Sequence, residues 1–425
     1  MKNKRAGIIR KIVQIVFFVV IALIAVNHGL EKYGKTIPLV GSSSLHAVCP
    51  FGGVVSIYQF ITEGSFVRMT HESSFILMII VSVMAVFFGP AFCGWICPFG
   101  TLQELIGKLG RKLLGKRYNR IIPERLDRVL RYLRYFILVW VLFMTAVIGK
   151  VMFSSFDPYF TLFNFWTGHV AVSGLIILLI TFLLSLLVER PYCKYACPYG
   201  AFLGLFNLFR IMPIRREKDT CISCGLCDKE CPMNIKVSKS ETIRNHQCIS
   251  CMRCTSEQIC PEDATVTLSI LKKKRGVSST QMAVILSIMF IGGVALSMAF
   301  NLWNTESKKR PSRFTEGVYL GYANPADIRG SFTLGNVSEA FGIDIKVLSE
   351  AFGVKSSNPS ILKIKELESM TSSESDIHYG TDSIRLFVSR YKGVPYIPEE
   401  DTHLPLSAIR VLEDKLTPAD LDELR

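Results

Sequence analysis

Cys221-x2-Cys224-x2-Cys227-x3-Cys231-Pro232, followed by Cys248-x2-Cys251-x2-Cys254-x5-Cys260-Pro261, is the stretch on which the reading of this chain turns. Thiolates at this spacing, each run closed by Cys-Pro, wrap the chain around an iron–sulfur cube. Two runs in tandem hold two [4Fe–4S] clusters by exchanging their last ligand. On that rule Cys221, Cys224, Cys227 and Cys260 bind one cluster, and Cys248, Cys251, Cys254 and Cys231 bind the other. The second run departs from the pattern, with five residues instead of three before its last cysteine, so a bulged loop is expected ahead of Cys260. Cys-x2-Cys pairs also suit zinc. Zinc motifs seldom come as two four-cysteine runs each ending in proline, so the spacing favours iron and sulfide.

Composition sets the surroundings. A chain of 425 residues has room for about two to four domains, and its 49% apolar content points to a membrane protein. None of the thirteen cysteines follows Cys260, which suits metal chemistry in a reducing compartment better than a disulfide framework. The net charge of +14 is lopsided: residues 1–304 carry 34 Lys+Arg against 16 Asp+Glu, and residues 305–425 carry 15 against 19. A basic excess beside apolar spans reports membrane topology and anionic lipid before it reports nucleic acid.

Five apolar spans are expected: Ile8–Val26, Ser74–Phe92, Leu133–Met152, His169–Val188 and Ser279–Phe300. The first is read as a retained span with a cytoplasmic N-terminus, because no cleavage site follows it. Nine Lys/Arg between Lys108 and Arg131, and the run Lys272–Arg275, then fall on the cytoplasmic side. Residues 27–73 and the aromatic segment 153–168 fall outside, the latter as an interfacial belt. The expected fold is mainly α. A five-span bundle with an internal pseudo-repeat carries a bacterial-type two-cluster ferredoxin insertion on its cytoplasmic side and a small helical extracytoplasmic C-terminal domain. The expected boundaries are 1–212 for four spans, 213–270 for the ferredoxin part, 279–300 for the fifth span and 313–425 for the outer domain.

The repeat pairs Cys93-x3-Cys97-Pro98-Phe99-Gly100 with Cys193-x3-Cys197-Pro198-Tyr199-Gly200. Each is followed by an apolar face at helical spacing, Leu102/Leu105/Ile106/Leu109 and Phe202/Leu205/Phe206/Phe209, with Lys108, Arg111, Lys112 and Arg210 on the polar side. These read as amphipathic helices lying in the cytoplasmic interface. A fainter third copy, Cys49-Pro50-Phe51-Gly52, lacks the first cysteine and is expected on the opposite side. Cysteines four apart share a helix face, so Cys93, Cys97, Cys193 and Cys197 can converge. Three readings stay open for them: a third iron–sulfur cluster, redox-active dithiols, or small buried hydrophobes.

Two Cys-x3-Cys-Pro motifs closing membrane helices, followed by two Cys-x2-Cys-x2-Cys runs, resemble the NapH/NosR/CcoG group of membrane polyferredoxins over residues 75–270. The resemblance implies that the twelve motif cysteines serve electron relay between quinol and redox partners, or the assembly and reactivation of another metalloenzyme. It makes the chain an oxidoreductase component, quinol dehydrogenase-like, in a prokaryotic cytoplasmic membrane. The chain departs from the group in lacking a covalent-flavin threonine motif, in its fifth span and in its C-terminal domain.

Four histidines, His28, His46, His71 and His169, fall on the expected outer side. His28 and His169, at span ends, are candidates for a quinone or haem site, and nothing in the sequence chooses between the two ligands. In the tail, Ser338-Glu-Ala-Phe-Gly342 recurs as Ser349-Glu-Ala-Phe-Gly353. That predicts two short helices with Thr333 and Asp344 as N-caps and glycine C-caps. A flexible connection is expected at 356–376, helices at 382–391 and 406–414, and a last helix from Thr417-Pro418. The tail is net acidic and expected outside, which argues against DNA binding; without cysteine and with only His378 and His403 it makes a poor catalytic or metal domain, which leaves docking of an extracytoplasmic redox protein as its expected role. The leading expectation is electron transfer between the clusters and a quinone pool or membrane partner. The alternative is an accessory or redox-sensing protein that supports maturation of another metalloenzyme.

Overall fold

A computed structural model describes residues 5–31, 49–63, 72–148, 152–165, 170–262, 264–270, 276–300, 302–303, 311 and 314, and most of 318–416. The chain divides into two compact units, Met1–Ser307 and Lys308–Arg425.

The first unit is mainly helical. Its helices are α1 (Arg5–Glu31), α2 (Pro50–Glu63), α3 (Glu72–Phe88), α4 (Ala91–Trp95), α5 (Pro98–Leu114), α6 (Glu124–Leu130), α7 (Leu133–Ile148), α8 (Pro158–Asn164), α9 (Val172–Ser185), α10 (Pro191–Tyr195), α11 (Pro198–Leu205), α12 (Leu226–Lys229) and α13 (Ser279–Ala299). Three stretches are long and apolar enough to cross a bilayer: Gly7–Asn27, Glu124–Ala146 and Ser279–Ala299. Side chains such as Ile12, Val16, Phe136, Phe143, Ile288 and Ile291 stand exposed along them, as lipid-facing groups must where no water competes for the surface. α1 and α13 are neighbours, and the Phe17 and Phe290 rings meet edge to face at 5.5 Å.

The expected spans Ser74–Phe92 and His169–Val188 are shorter in the structure. They appear as the 17-residue α3 and the 14-residue α9. At 1.5 Å per residue these reach about 25 and 21 Å, against a hydrocarbon core of about 30 Å. α3 ends because Gly89 turns to φ +74° and Pro90 follows. After α9 the chain likewise turns left-handed at Arg190, φ +52°. Each break leads into a five-residue helix, α4 or α10, that carries the first cysteine of its pair. The second cysteine caps the next helix, with proline at its first position. The two turns share their bonding: Ile96 and Cys97 both donate to the Phe92 carbonyl, and Ala196 and Cys197 both donate to that of Tyr192.

Arg210 and the aromatic segment depart from expectation, and α5 shows which of its faces packs inward. α5 buries its polar and small residues, Thr101, Gln103, Glu104, Gly107 and Gly110, while Leu105 and Leu109 face outward. A Cβ at Gly107 would collide with the Tyr118 hydroxyl, and one at Gly110 with the Leu186 carbonyl, so small residues let the helix approach its neighbours closely. Arg210, expected on a polar surface, is fully buried. Segment 153–168 is not simply a surface belt. It forms α8, with Thr161 and Phe163 buried and Asp157 accepting hydrogen bonds from Tyr159 N and the Tyr192 hydroxyl, while Phe156 and Phe165 stay exposed.

The ferredoxin stretch hangs on a small antiparallel sheet ordered β2–β1–β3, with β1 Ile214–Arg216, β2 Thr242–Ile243 and β3 Val266–Leu268. Ile214 pairs with Ile243 on one side and Leu268 on the other, and all three are buried. The extra residues before Cys260 form a turn in which Ile259 and Cys260 both donate to the Ser256 carbonyl.

The second unit has its own core of Leu334, Val337, Leu348, Phe387, Ala408 and Leu412. Its helices are α14 (Leu334–Phe341), α15 (Ile345–Ala351), α16 (Ile364–Thr371), α17 (Thr381–Lys392) and α18 (Leu406–Glu413). Thr333 and Asn336 form a reciprocal capping box, Asp344 accepts from Lys346 N, and Gly342 and Gly353 take left-handed conformations. The flexible connection expected at 356–376 instead contains α16, whose Ile364 and Leu367 are buried. The helix expected from Thr417 lies outside the described residues.

Candidate functional site

The eight ferredoxin cysteines gather into two hollows. One is lined by Cys231, Cys248, Cys251 and Cys254, the other by Cys221, Cys224, Cys227 and Cys260. The last cysteine of each run thus lines the hollow of the other. The turns that aim these thiols inward are backbone-strained: Ser223, Ser250 and Met252 all have positive φ without being glycine. Donors point at the sulfurs, with Ile235 N 3.4 Å from Cys231 Sγ and Arg210 Nη1 3.8 Å from Cys248 Sγ. Burial pushes the Cys231 thiol up to about 12, so this site gives up its proton only to a compensating cation.

Among the described residues, no three His, Cys, Asp or Glu side chains stand close enough to grip a single metal ion. A tetrahedral zinc site needs sulfurs about 3.8 Å apart, as follows from its Zn–S bonds of about 2.3 Å. Four cysteines lining one hollow suit a [4Fe–4S] group, where each thiolate holds a different iron.

The Cys-x3-Cys-Pro cysteines form a third group. Cys93, Cys97, Cys193 and Cys197 each lie within electrostatic reach of others of the four. Cys193 Sγ accepts from Gln103 Nε2 at 3.4 Å, and Cys197 Sγ from Gly200 N at 3.2 Å. Cys49, expected on the opposite side, is instead within reach of Cys97, because α2 packs along α3 and brings its N-terminus to the cysteine group.

A buried charge network joins the membrane helices to the ferredoxin loop. Glu104 on α5 pairs with Arg10 of α1, with Arg190 at 2.7 Å and with Arg253 at 2.7 Å. Glu189 pairs with Arg253 at 2.6 Å and Arg111 at 2.8 Å. Burial alone would raise the Glu104 pKa, but the three arginines hold it well below the ordinary carboxylate range. Their positive charge also faces thiols: Arg10 and Arg253 act on Cys251, and Arg190 on Cys93, Cys97 and Cys193. Such cations suit a site whose thiolates are ionised.

At this junction Trp95 Nε1 donates to the Ser250 carbonyl at 3.0 Å, and Gln14 Nε2 to the Gly94 carbonyl at 3.1 Å. A Cβ at Gly94 would collide with the Ile249 carbonyl and press on Cys251, so the backbone next to Cys93 lies directly against the Cys251 turn. Residue-by-residue reading missed Glu104, Glu189, Arg190 and Arg253. The available signal was the pair Glu189-Arg190 closing an apolar run, together with Arg10 and Gln14 near the start of α1. Of the histidine candidates, His169, His46 and His71 lie outside the described residues, as does the side chain of His28.

The model of the 4Fe-4S binding domain family matches residues 70–117 and again 170–215. The uncharacterized protein MJ0750 of Methanocaldococcus jannaschii is 32% identical over 247 residues, 58% of this chain and 97% of that protein. The chain belongs to the NapH/NosR-type membrane polyferredoxins. The putative electron transport protein YccM of Escherichia coli is 31% identical over 229 residues, 52% of this chain and 63% of YccM. The ferredoxin-type protein NapH of Haemophilus influenzae is 32% identical over 193 residues, 43% of this chain and 64% of NapH. The chain therefore spans a little under two thirds of YccM and of NapH. No solved structure matches it. As a member of this family it is a membrane protein of electron transport that carries iron–sulfur clusters.

Proposed function

We propose that the chain relays electrons between a quinone pool, or a membrane redox partner, and iron–sulfur clusters bound by its cysteines. The observation that carries this reading is the contiguity of the thiol groups: the Gly94 peptide, next to Cys93, lies against Cys251, and Cys254 lies within reach of both Cys251 and Cys227. Clusters bound there supply one-electron carriers. Cys221, Cys224, Cys227 and Cys260 hold one [4Fe–4S] cluster, Cys248, Cys251, Cys254 and Cys231 the second, and Cys93, Cys97, Cys193 and Cys197 a third. The arginines around Glu104 and Glu189 fix the distance between the last two groups and offset the charge of the thiolates.

The proposed topology has five spans, with α3 and α9 as its short members. The N-terminus and residues 213–270 are cytoplasmic, and residues 313–425 form an extracytoplasmic domain that docks a redox protein. The matching turns at Phe92–Cys97 and Tyr192–Cys197, and the two family matches 100 residues apart at their starts, support an internal duplication.

The test is iron and acid-labile sulfide per chain on anaerobically purified protein, with quinol-dependent reduction followed spectroscopically. About twelve irons in the wild type, falling to about eight in Cys93→Ala/Cys193→Ala, are expected from four irons per cube. About eight in both would remove the third cluster from the proposal, and no reduction by quinol would remove the quinone.

A further inference from the structure

We infer that the membrane thiol group is a five-cysteine site, in which Cys49 is a ligand of the same bound group as Cys93, Cys97, Cys193 and Cys197, and the Tyr199 hydroxyl is its hydrogen-bond donor. The inference rests on the proposal that the Cys-x3-Cys-Pro cysteines hold an iron–sulfur group. Cys49 precedes Pro50 and the 14-residue α2, just as Cys97 precedes Pro98 and α5, and Cys197 precedes Pro198 and α11. At Cys197 the sulfur accepts from the backbone N–H of Gly200 at 3.2 Å, and Cys49 and Cys97 stand at the same position ahead of their own helices. Such donors stabilise a thiolate and prepare the sulfur for iron.

Packing ties the Cys49 and Cys197 ends to the turn that carries Cys93, independently of charge. The Phe51 ring, two residues from Cys49, meets the Tyr199 ring edge to face at 6.2 Å. Tyr199, two residues from Cys197, meets Phe92, the neighbour of Cys93, at 6.0 Å. The second observation is Tyr199 itself. It is 9% exposed, and among the described residues its buried hydroxyl has no hydrogen-bond partner. Its surroundings within electrostatic reach are Cys93, Cys49, Cys97 and Cys197. A buried hydroxyl left without an acceptor is destabilising. A thiolate or sulfide at the centre of these cysteines would satisfy it. Asp157 borders the same place, its carboxyl engaged by Tyr159 N and the Tyr192 hydroxyl.

A cube offers four iron corners. Five thiols around it leave one sulfur in exchange, which makes Cys49 the ligand that tunes the centre without being needed to assemble it. The experiment uses the full-length protein, purified anaerobically in detergent, with EPR of the reduced state and iron release to a chelator as readouts. Cys49→Ala is expected to move the EPR signal of the membrane centre and to speed release of about four irons several-fold, with the ferredoxin signals unmoved. Cys49→Ser, which keeps an oxygen ligand, should restore slow release with a shifted signal. Tyr199→Phe should keep the iron and lower the midpoint potential of that centre alone, because the reduced, more negative state loses a donor. Where Cys49→Ala does not accumulate, the serine and phenylalanine variants carry the test. Signal, release rate and potential identical to wild type in these variants would overturn the inference while Cys93→Ala/Cys193→Ala still loses iron. A wild type with only about eight irons would overturn the third cluster first and this inference with it.

Discussion

Glu104 illustrates how much a single side chain holds. Its side chain is only 6% exposed and faces Arg10, Arg190 and Arg253, drawn from three separate parts of the sequence. Removing one partner of a buried ion network leaves charge unpaired, at a cost of about 3–5 kcal/mol. Glu104→Gln is therefore expected to lower the thermal midpoint of the detergent-solubilised protein markedly and to broaden the EPR signal of the cluster at Cys251. An unchanged midpoint would show that the arginines find other partners. In the second unit Asp382 plays a similar part, accepting from Thr402 Oγ1 at 2.6 Å, Glu399 N at 3.1 Å, Arg385 and the Tyr396 hydroxyl. Burial raises its pKa, but these donors outweigh it, and the folded value lies below the ordinary 3.8. A depressed folded pKa means a contribution that is complete above about 3.8 and fades as pH falls through the folded value. Hydrogen exchange of α17 in the full chain should accelerate in that acid window, and Asp382→Asn should exchange fast already at neutral pH.

At the scale of elements, α5 decides how the first unit is built. Its sequence carries an apolar stripe and a polar stripe, and the stripe that packs inward is the polar one, because Glu104 and Gln103 have buried partners and glycines permit close approach. Leu105, Leu109 and Leu113 are left outside, as suits a lipid-facing surface. A spin label at position 109 should be relaxed by oxygen, which partitions into lipid, and little by a polar nickel chelate, whereas the reverse would place this face in water. Helix caps are more local. Thr333→Ala breaks the capping box of α14 and should cost about 1 kcal/mol of stability in the second unit, read from its thermal transition.

For the whole molecule, orientation is the open quantity with the sharpest test. In the proposed topology, alkaline phosphatase fused after Arg425 should be active and the same reporter fused after Glu217 inactive; the opposite pattern would invert the topology, and equal activity would remove the fifth span. Much of the architecture was legible in the chain, because spacing within one short segment carries it. The crossed sharing of Cys231 and Cys260 between hollows followed from the tandem runs, and the caps at Thr333 and Asp344 from local hydrogen-bonding preference. The placement of Cys49 and Arg210 was not legible. Each depends on which distant segment packs against it, and neither hydropathy nor periodicity encodes that.

The sequence by itself determined the chemistry. Cysteine spacing names a metal and sulfide site, apolar run length names the membrane, and both are properties of residues a few positions apart. Only the tertiary structure decided that Cys49, at the start of α2, comes within reach of the paired cysteines, and that four arginines converge on two glutamates at the junction. Those outcomes come from the balance of close packing and buried charge among segments far apart in the chain, as between the Arg10 side chain and the Cys251 carbonyl, 241 positions apart. Burial makes each such charge costly alone and stable only in company, so the arrangement exists only once the whole unit has folded.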